Sequence, residues 1–143
     1  MISRTVHSLQ ELQLCIPDFA AAIRNHRLIL FKGELGSGKT TLIRHLCSYW
    51  GVEDPVSSPT FSIVQIYKTH SDETINHIDL YRLKDIDEAM SIGIEEYLEP
   101  LDGHTLIEWP GIIELMLPES YGTFEISIEH SNSRKIVFLE TII

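Results

Sequence analysis

The 143-residue chain carries 21 acidic and 11 basic side chains, a formal net charge of −10, and 43% of its residues are hydrophobic. Since phosphate backbones are bound largely through Lys and Arg, this charge argues against unaided nucleic-acid binding, although basic proteins remain possible partners. The chain has neither an apolar stretch that could span a bilayer nor the basic-then-apolar start of a secretory signal, so we expect one cytoplasmic domain over residues 1–143.

The first half of the chain predicts a helix, a buried strand and a second helix. Apolar residues recur at near-helical spacing over residues 9–25, where Pro17 is expected to break or restart the helix. The short apolar run 28–31 is typical of a buried strand, and residues 39–50 are expected to form a helix that Gly51 ends. A strand, a glycine-rich loop and a helix in this order indicate an α/β fold.

The second half of the chain is rich in short strands. The predicted strands are residues 61–67, 74–80, 105–109, 124–128 and 135–139. The last two are expected to form an antiparallel hairpin around residues 130–133. One or two short helices, interrupted at Gly93, are predicted within residues 85–98. Because few helices separate the later strands, we expect an α/β sandwich of three layers with a mixed sheet.

The loop after the first buried strand reads G-E-L-G-S-G-K-T and matches the P-loop pattern G-x-x-x-x-G-K-[ST] at every fixed position. Its glycines let the backbone turn so that successive N–H groups can surround phosphate oxygens, and the following helix adds its positive end. The motif therefore predicts an ATP site in a P-loop NTPase-like fold. The residues expected to contact the nucleotide are Glu34, Leu35, Gly36, Ser37, Gly38, Lys39, Thr40 and Thr41.

Three of these side chains have predicted roles of their own. Lys39 is expected to reach the β- and γ-phosphates, and Thr40 to coordinate Mg²⁺ through its hydroxyl. Thr41 is expected to contact the α-phosphate. The structural alternative is a glycine turn that only caps a helix.

Two acidic residues lie near the ends of predicted strands: Asp79 follows residues 75–78, and Glu108 follows residues 106–107. In an open α/β sheet, ligands gather outside the carboxyl ends of the strands. Both acids should therefore face the phosphates if their strands run parallel to the strand before the P-loop. Glu108 is the candidate magnesium ligand, and Asp79 the candidate for magnesium support or water activation. A cap or a surface ion pair is the alternative for each.

Three further residues have two interpretations each. Thr60, in the loop 57–60, could sense a γ-phosphate as switch loops do, or belong to an ordinary loop before a strand. Trp109 could lie over the nucleotide, although the core is the more common place for its ring. His77 is expected to be an ordinary packed or surface side chain.

Four motifs follow one another along the chain: G-E-L-G-S-G-K-T-T, S-P-T-F-S-I-V, H-I-D-L-Y-R-L and L-I-E-W-P. Together they resemble the TsaE family, formerly YjeE, of small bacterial P-loop ATPases in tRNA threonylcarbamoyladenosine biosynthesis. The resemblance extends from about Leu9 to Arg134. It implies a Mg²⁺-dependent ATPase that docks on two proteins, TsaB and TsaD, which transfer the threonylcarbamoyl group to tRNA. Hydrolysis would reset that complex between turnovers, with no tRNA-binding face needed on this chain.

The resemblance also implies roles for single residues. Lys39 and Thr40 match the phosphate and magnesium positions of the family. Glu108 matches its magnesium ligand, Asp79 its essential aspartate and Thr60 its switch-loop threonine.

Near the two ends of the chain the match is looser. Arg134 lies where the family has a nucleotide-contacting arginine, but Ser133 stands where the family usually has glycine. Adenine contacts are expected near His7 and Ser8.

Three other functions remain open from the sequence. A small-molecule kinase would share the P-loop but would need an arginine-rich acceptor site, of which the sequence gives no sign. A GTPase would need D-x-x-G and N-K-x-D motifs, and neither occurs. A nucleotide-dependent docking module with negligible turnover is the third, because P-loop hydrolysis without an arginine finger is slow.

Overall fold

The computed structural model describes residues 1–130 and 132–142. Its strands are β1 (Ile2–Val6), β2 (Leu28–Lys32), β3 (Val64–Lys68), β4 (Thr74–Asp79), β5 (His104–Glu108), β6 (Ser120–Ile128) and β7 (Arg134–Ile142). Its helices are α1 (Leu9–Ile23), α2 (Lys39–Tyr49), α3 (Ile86–Ser91) and α4 (Glu95–Leu98), with a 3₁₀ helix over Pro110–Met116. Within this described part, no helix combines the length and the apolar character needed to cross a bilayer.

The seven strands form one sheet in the order β1-β7-β6-β2-β5-β4-β3. β2 runs parallel to both β5 and β6, and β4 runs parallel to β5. β3 and β4, β6 and β7, and β1 and β7 pair antiparallel. The mixed sheet predicted from the sequence is therefore confirmed, and β2, β4 and β5 bring their carboxyl ends to the same edge.

Helix α1 is continuous, contrary to the expectation that Pro17 would break it. Ser8 caps its first turn by accepting a hydrogen bond from the Glu11 N–H. Pro17 lies on the exposed side of the helix, while Ile16 and Phe19 on either side of it are buried. Burial of the apolar stripe thus compensates for the backbone hydrogen bond that proline cannot donate.

The core has two parts, one on each face of the sheet. Alternate residues of β2 point to opposite faces, so Phe31 joins the cluster under α1 and α2 and Leu30 joins the cluster under α3, α4 and the 3₁₀ helix. Phe124 of β6 stacks on Phe31 at 5.4 Å and meets the edge of Phe19 at 5.2 Å. A central strand buried on both faces explains why residues 28–31 are uniformly apolar.

Three of the differences from the predicted strands exceed a single residue. β1 was not predicted at all, because three of its five residues are exposed and only Val6 is buried. β3 begins at Val64, since residues 59–63 form a turn in which Ile63 has a positive φ of 69°. The β6–β7 hairpin is longer than the predicted one, and of its predicted turn Ser131 lies outside the described residues.

Candidate functional site

The glycine-rich loop connects the end of β2 to the start of α2 at the carboxyl edge of the sheet. Gly36 and Gly38 have φ values of 80° and 111°, which side chains other than glycine rarely adopt. Gly38 is also the N-cap of α2, and no side chain caps this helix end. The first N–H groups of α2 are therefore free of a side-chain acceptor, and with the helix dipole they favour an anion at this loop.

Lys39 is buried behind the loop. Its Nζ donates to the backbone oxygens of Gly33 at 2.6 Å and Glu34 at 3.1 Å, and it lies 4.0 Å from the centre of the Trp109 ring. Burial lowers the pKa of Lys39, while the carboxylates of Glu108 and Asp79 act in the opposite direction. The structure thus places the one lysine of the motif between the loop and two acids.

Glu108 ends β5 and is joined to the P-loop helix by Thr40. The Thr40 hydroxyl lies 2.8 Å from Oε1 and 3.0 Å from Oε2 of Glu108. His77 Nε2 lies 2.7 Å from Oε2, and Glu108 is only 3% exposed. A hydroxyl and a carboxylate oxygen side by side are ligands of the kind that Mg²⁺ takes, with water and phosphate oxygens completing its shell. The predicted pair of Thr40 and Glu108 is therefore chemically suited to magnesium.

Asp79 lies beside Glu108 but has a different set of partners. The two acids are opposite each other in the parallel pairing of β4 and β5. Asp79 Oδ2 accepts hydrogen bonds from the hydroxyls of Ser58 at 3.0 Å and Thr60 at 2.8 Å, and Oδ1 accepts from the Tyr81 N–H at 2.9 Å. Asp79 thereby holds the loop that contains Thr60 against the P-loop side of the sheet.

Two cavities of about 390 Å³ each flank the P-loop and share Gly36, Gly38 and Thr41 in their walls. The acidic cavity is lined by Lys39, Thr40, Thr60, Asp79, Glu108 and Trp109. The apolar cavity is lined by Val6, His7, Ser8, Leu12, Arg134 and Ile136. A P-loop between a cavity that contains a lysine and two acids and a cavity that combines apolar side chains with Arg134 suits a ligand with phosphates at one end and a flat base at the other.

The remaining P-loop candidates take different positions. Arg134 Nε donates to the Ser37 backbone oxygen at 3.0 Å, so it lies against the loop as its predicted role requires. Leu35 is 72% exposed at the rim of the acidic cavity. Glu34 meets the site through its backbone oxygen, which accepts a hydrogen bond from Lys39 Nζ at 3.1 Å.

A larger groove of about 560 Å³ lies at the opposite, amino end of the strands. Its walls include Arg24, Arg27, Trp50 and His104. None of its lining residues belongs to the four sequence motifs. The volume of a cavity is therefore a poor guide to the site in this protein. The candidate site consists of the acidic and apolar cavities, because the motif residues line them.

Trp109 differs from its expectation, whereas His77 is packed, as expected. Trp109 belongs to neither core cluster; its ring is 4.8 Å from that of Tyr81 and covers Lys39, so the core position favoured for it is wrong. Its φ of 57° is unusual for a non-glycine residue, and such backbone conformations concentrate at functional sites. His77 is fully buried against Glu108, a contact that its i, i+2 spacing from Asp79 on one strand could have suggested.

The donor atoms beside the P-loop come from few side chains. In residues 1–130 and 132–142 no cluster of three or more His, Cys, Asp or Glu side chains could hold a metal ion. The donor set at the P-loop is instead one hydroxyl and one carboxylate, which fits a magnesium ion that keeps several waters and phosphate oxygens.

Comparison with known proteins gives consistent results. The sequence model of the family described as "Threonylcarbamoyl adenosine biosynthesis protein TsaE" matches residues 6–136. The tRNA threonylcarbamoyladenosine biosynthesis protein TsaE of Rickettsia bellii (strain RML369-C) is 41% identical over 118 residues, which cover 81% of this chain and 80% of the relative. The protein of the same description from Bacillus subtilis (strain 168) is 32% identical over 119 residues, covering 83% and 73%.

A solved structure shares the fold. The crystal structure of Bacillus subtilis YdiB superimposes with a TM-score of 0.77 at 24% sequence identity, over 99% of this chain and 86% of that one. At this identity the likeness concerns the α/β architecture, which agrees with the predicted fold class.

Proposed function

The chain belongs to the TsaE family and has a role in tRNA threonylcarbamoyladenosine biosynthesis, and from that premise we propose that it is a Mg²⁺-dependent ATPase that acts on the TsaB–TsaD complex. In this proposal the protein works in the cytoplasm and does not transfer the threonylcarbamoyl group itself. Its net charge of −10 supports a protein-directed role, because direct tRNA binding would need a basic surface.

One observation carries the proposal: the Thr40 hydroxyl of the P-loop helix and the Glu108 carboxylate of β5 lie 2.8 Å apart, beside the buried Lys39. A glycine turn that only capped a helix would need neither the buried lysine nor a carboxylate aimed at the first turn. The arrangement places a cation, a hydroxyl and an acid around one cavity, which is what phosphoryl transfer from a nucleotide requires.

Each residue then has a defined task. The N–H groups of the P-loop and Lys39 bind and orient the phosphates of ATP. Thr40 and Glu108 would hold Mg²⁺, which when bound neutralises charge that develops on the phosphoryl oxygens. On the other side of the loop, the apolar cavity with Arg134 receives the nucleoside.

Asp79 couples the chemistry to the loop that contains Thr60. Both oxygens of its carboxylate already accept hydrogen bonds, from Ser58 and Thr60 on one and Tyr81 on the other. Each carboxylate oxygen can accept about two hydrogen bonds, so Oδ2 is fully occupied and can support magnesium or activate water only when Ser58 or Thr60 leaves it. Movement of the Thr60 loop and the chemistry of Asp79 are therefore linked, as a switch that responds to the γ-phosphate would need.

Hydrolysis by the protein alone is expected to be slow. Among the described residues that line the acidic cavity there is no arginine. Tyr81 lines this cavity, but the guanidinium of the next residue, Arg82, lies over the Phe61 ring, 4.0 Å from its centre. Since an arginine finger contributes about 10³–10⁵ in rate to P-loop enzymes, the missing charge is expected from the partner complex.

The proposal is tested by measuring phosphate release from ATP and from GTP, with the chain alone, with TsaB and TsaD, and with all three. We expect slow release alone, a large increase with the partners and a preference for ATP. Phosphate that appears on a metabolite would instead indicate a kinase. Sustained action with a non-hydrolysable ATP analogue would indicate the docking module.

A further inference from the structure

His77 is a buried imidazole with a single polar contact. Its side chain is 0% exposed, and its Nε2 lies 2.7 Å from Glu108 Oε2. Among residues 1–130 and 132–142 its Nδ1 has no hydrogen-bond partner. Because a carboxylate oxygen accepts, Nε2 is the ring nitrogen that donates in this contact. The ring is thus committed to Glu108 and to no other polar group described.

The Glu108 carboxylate depends on this contact. Its other donor is the Thr40 hydroxyl, which can rotate and whose oxygen is the atom proposed to face magnesium. A Thr40 hydroxyl that coordinates a cation through its oxygen keeps its proton, but it can donate that single proton to only one Glu108 oxygen at a time. His77 is the second donor and fixes Oε2, while Oε1 has the shorter of the two contacts with the Thr40 hydroxyl.

The ring is itself held in place by the sheet. β4 is paired on both sides, by β3 and β5, and the register places His77 opposite Leu106 and Asp79 opposite Glu108. The Tyr67 ring of β3 lies beside the imidazole, with the ring centres 6.2 Å apart. A donor on a strand that is paired on both sides is held more precisely than one on a loop.

We propose that His77 is a positioning residue that fixes the Glu108 carboxylate so that it and Thr40 present their oxygens to one divalent cation. This inference rests on the proposed function, because it assigns a support to the magnesium site. Partners that orient metal-ligating carboxylates typically contribute about 10- to 100-fold to metal affinity.

The test compares variants that differ in the hydrogen-bond donor that residue 77 offers to Glu108. The readout is the dissociation constant of ATP measured by calorimetry in excess Mg²⁺ and in EDTA; their ratio is the magnesium gain. His77→Leu removes the donor, His77→Gln keeps an amide N–H at about the reach of Nε2, and His77→Asn is one methylene too short. His26→Leu is the matched control, since His26 is 4% exposed and its Nε2 lies 3.0 Å from Glu140 at the other end of the sheet.

We expect His77→Leu to lower the magnesium gain about tenfold or more while the affinity in EDTA stays near that of the wild type. His77→Gln should restore most of the gain, and His26→Leu should leave it unchanged. If His77→Leu does not fold, His77→Asn takes its place with the same expected loss.

Three results would overturn the inference: a wild-type magnesium gain in His77→Leu or His77→Asn, an equal loss of affinity in Mg²⁺ and EDTA, or the same loss in His26→Leu. Equal ATP affinities of the wild type in Mg²⁺ and in EDTA would instead contradict the proposed function. The wild type therefore tests the magnesium site, and the variants test the role of His77.

Discussion

Two histidine–glutamate pairs lie at opposite ends of the sheet and differ in what surrounds them. At the carboxyl end, His77 and Glu108 are 0% and 3% exposed, 2.7 Å apart, and the carboxylate also meets Thr40. At the amino end, His26 is 3% exposed but Glu140 is 48% exposed, and the atoms are 3.0 Å apart. A buried histidine beside a glutamate is therefore not by itself the mark of a site.

The difference lies in the carboxylate. Glu140 keeps contact with water, so its charge is solvated without further help. Glu108 is buried, and burial of a carboxylate costs free energy unless hydrogen-bond donors or cations compensate for the lost hydration. Thr40, His77 and the nearby Lys39 supply that compensation, and all three lie at the edge of the sheet where ligands of α/β proteins bind.

The largest effect expected at the carboxyl end comes from Lys39→Ala. Loss of two charge-assisted contacts to phosphate should weaken ATP binding about 1000-fold, measured by calorimetry in Mg²⁺. Lys32→Ala is the control, because Lys32 precedes the same loop but pairs with the exposed Glu114 at 3.6 Å. Equal affinities of the Lys39 variant and the wild type would contradict the phosphate role.

The proposed difference between the two histidine–glutamate pairs is tested most directly by the same substitution in each glutamate. Glu108→Gln should reduce the gain in ATP affinity that Mg²⁺ provides by about 10- to 100-fold, since an amide is a poor substitute for a metal-ligating carboxylate. Glu140→Gln, in the other pair, should leave it unchanged. If both variants lose the same amount, the two ends of the sheet do not differ as argued.

A smaller effect is expected in the loop that Asp79 holds. Thr60→Ala removes the hydroxyl proposed to sense the γ-phosphate, so it should leave ADP affinity intact while it weakens ATP binding about tenfold, the value of one hydrogen bond to a charged group. Thr60→Ser keeps the hydroxyl and is the matched control. Calorimetry with both nucleotides checks this, and a Thr60→Ala protein that still distinguishes them as the wild type does would refute the switch role.

The smallest expected effect concerns His104, at the amino end of the parallel strands, and the pH dependence of stability. Burial lowers the pKa of His104 below its ordinary value of 6.5, against a hydrogen bond to the His26 backbone oxygen that raises it. The native state therefore binds fewer protons than the unfolded chain, so the free energy of unfolding should fall as the pH drops below 6.5 and level off above it.

Urea unfolding at several pH values measures this slope. His104→Phe keeps an aromatic ring against Trp50, whose ring centre is 5.0 Å from that of His104, and should flatten the slope. An unchanged slope in the variant would assign the pH dependence to other groups.

The sequence predicts the P-loop end well because its signals are local. The motif around Lys39 needs only fixed spacing, and Asp79 and Glu108 could be placed from the ends of two strands. Both acids meet the P-loop because β4 and β5 run parallel to β2, the orientation that their predicted position requires. The chemical roles of these residues remain predictions.

What the sequence did not predict depends on contacts between distant segments. The partner of His77 follows from the register of β4 against β5, which join residues about 30 positions apart. The position of Trp109 follows from a positive φ that no local pattern indicates, since a residue before proline ordinarily favours an extended backbone. β1 was missed because an exposed edge strand carries little hydrophobic periodicity.

The central claim is that ATP hydrolysis at the P-loop sustains the TsaB–TsaD complex. It is tested most directly by the amount of modified tRNA that TsaB and TsaD form over many turnovers from threonylcarbamoyl-adenylate and ATP. The reaction is run with this protein, without it, and with Lys39→Ala. The account predicts that only the wild type sustains turnover. Equal yields in all three reactions would contradict it and assign the ATP site to another partner.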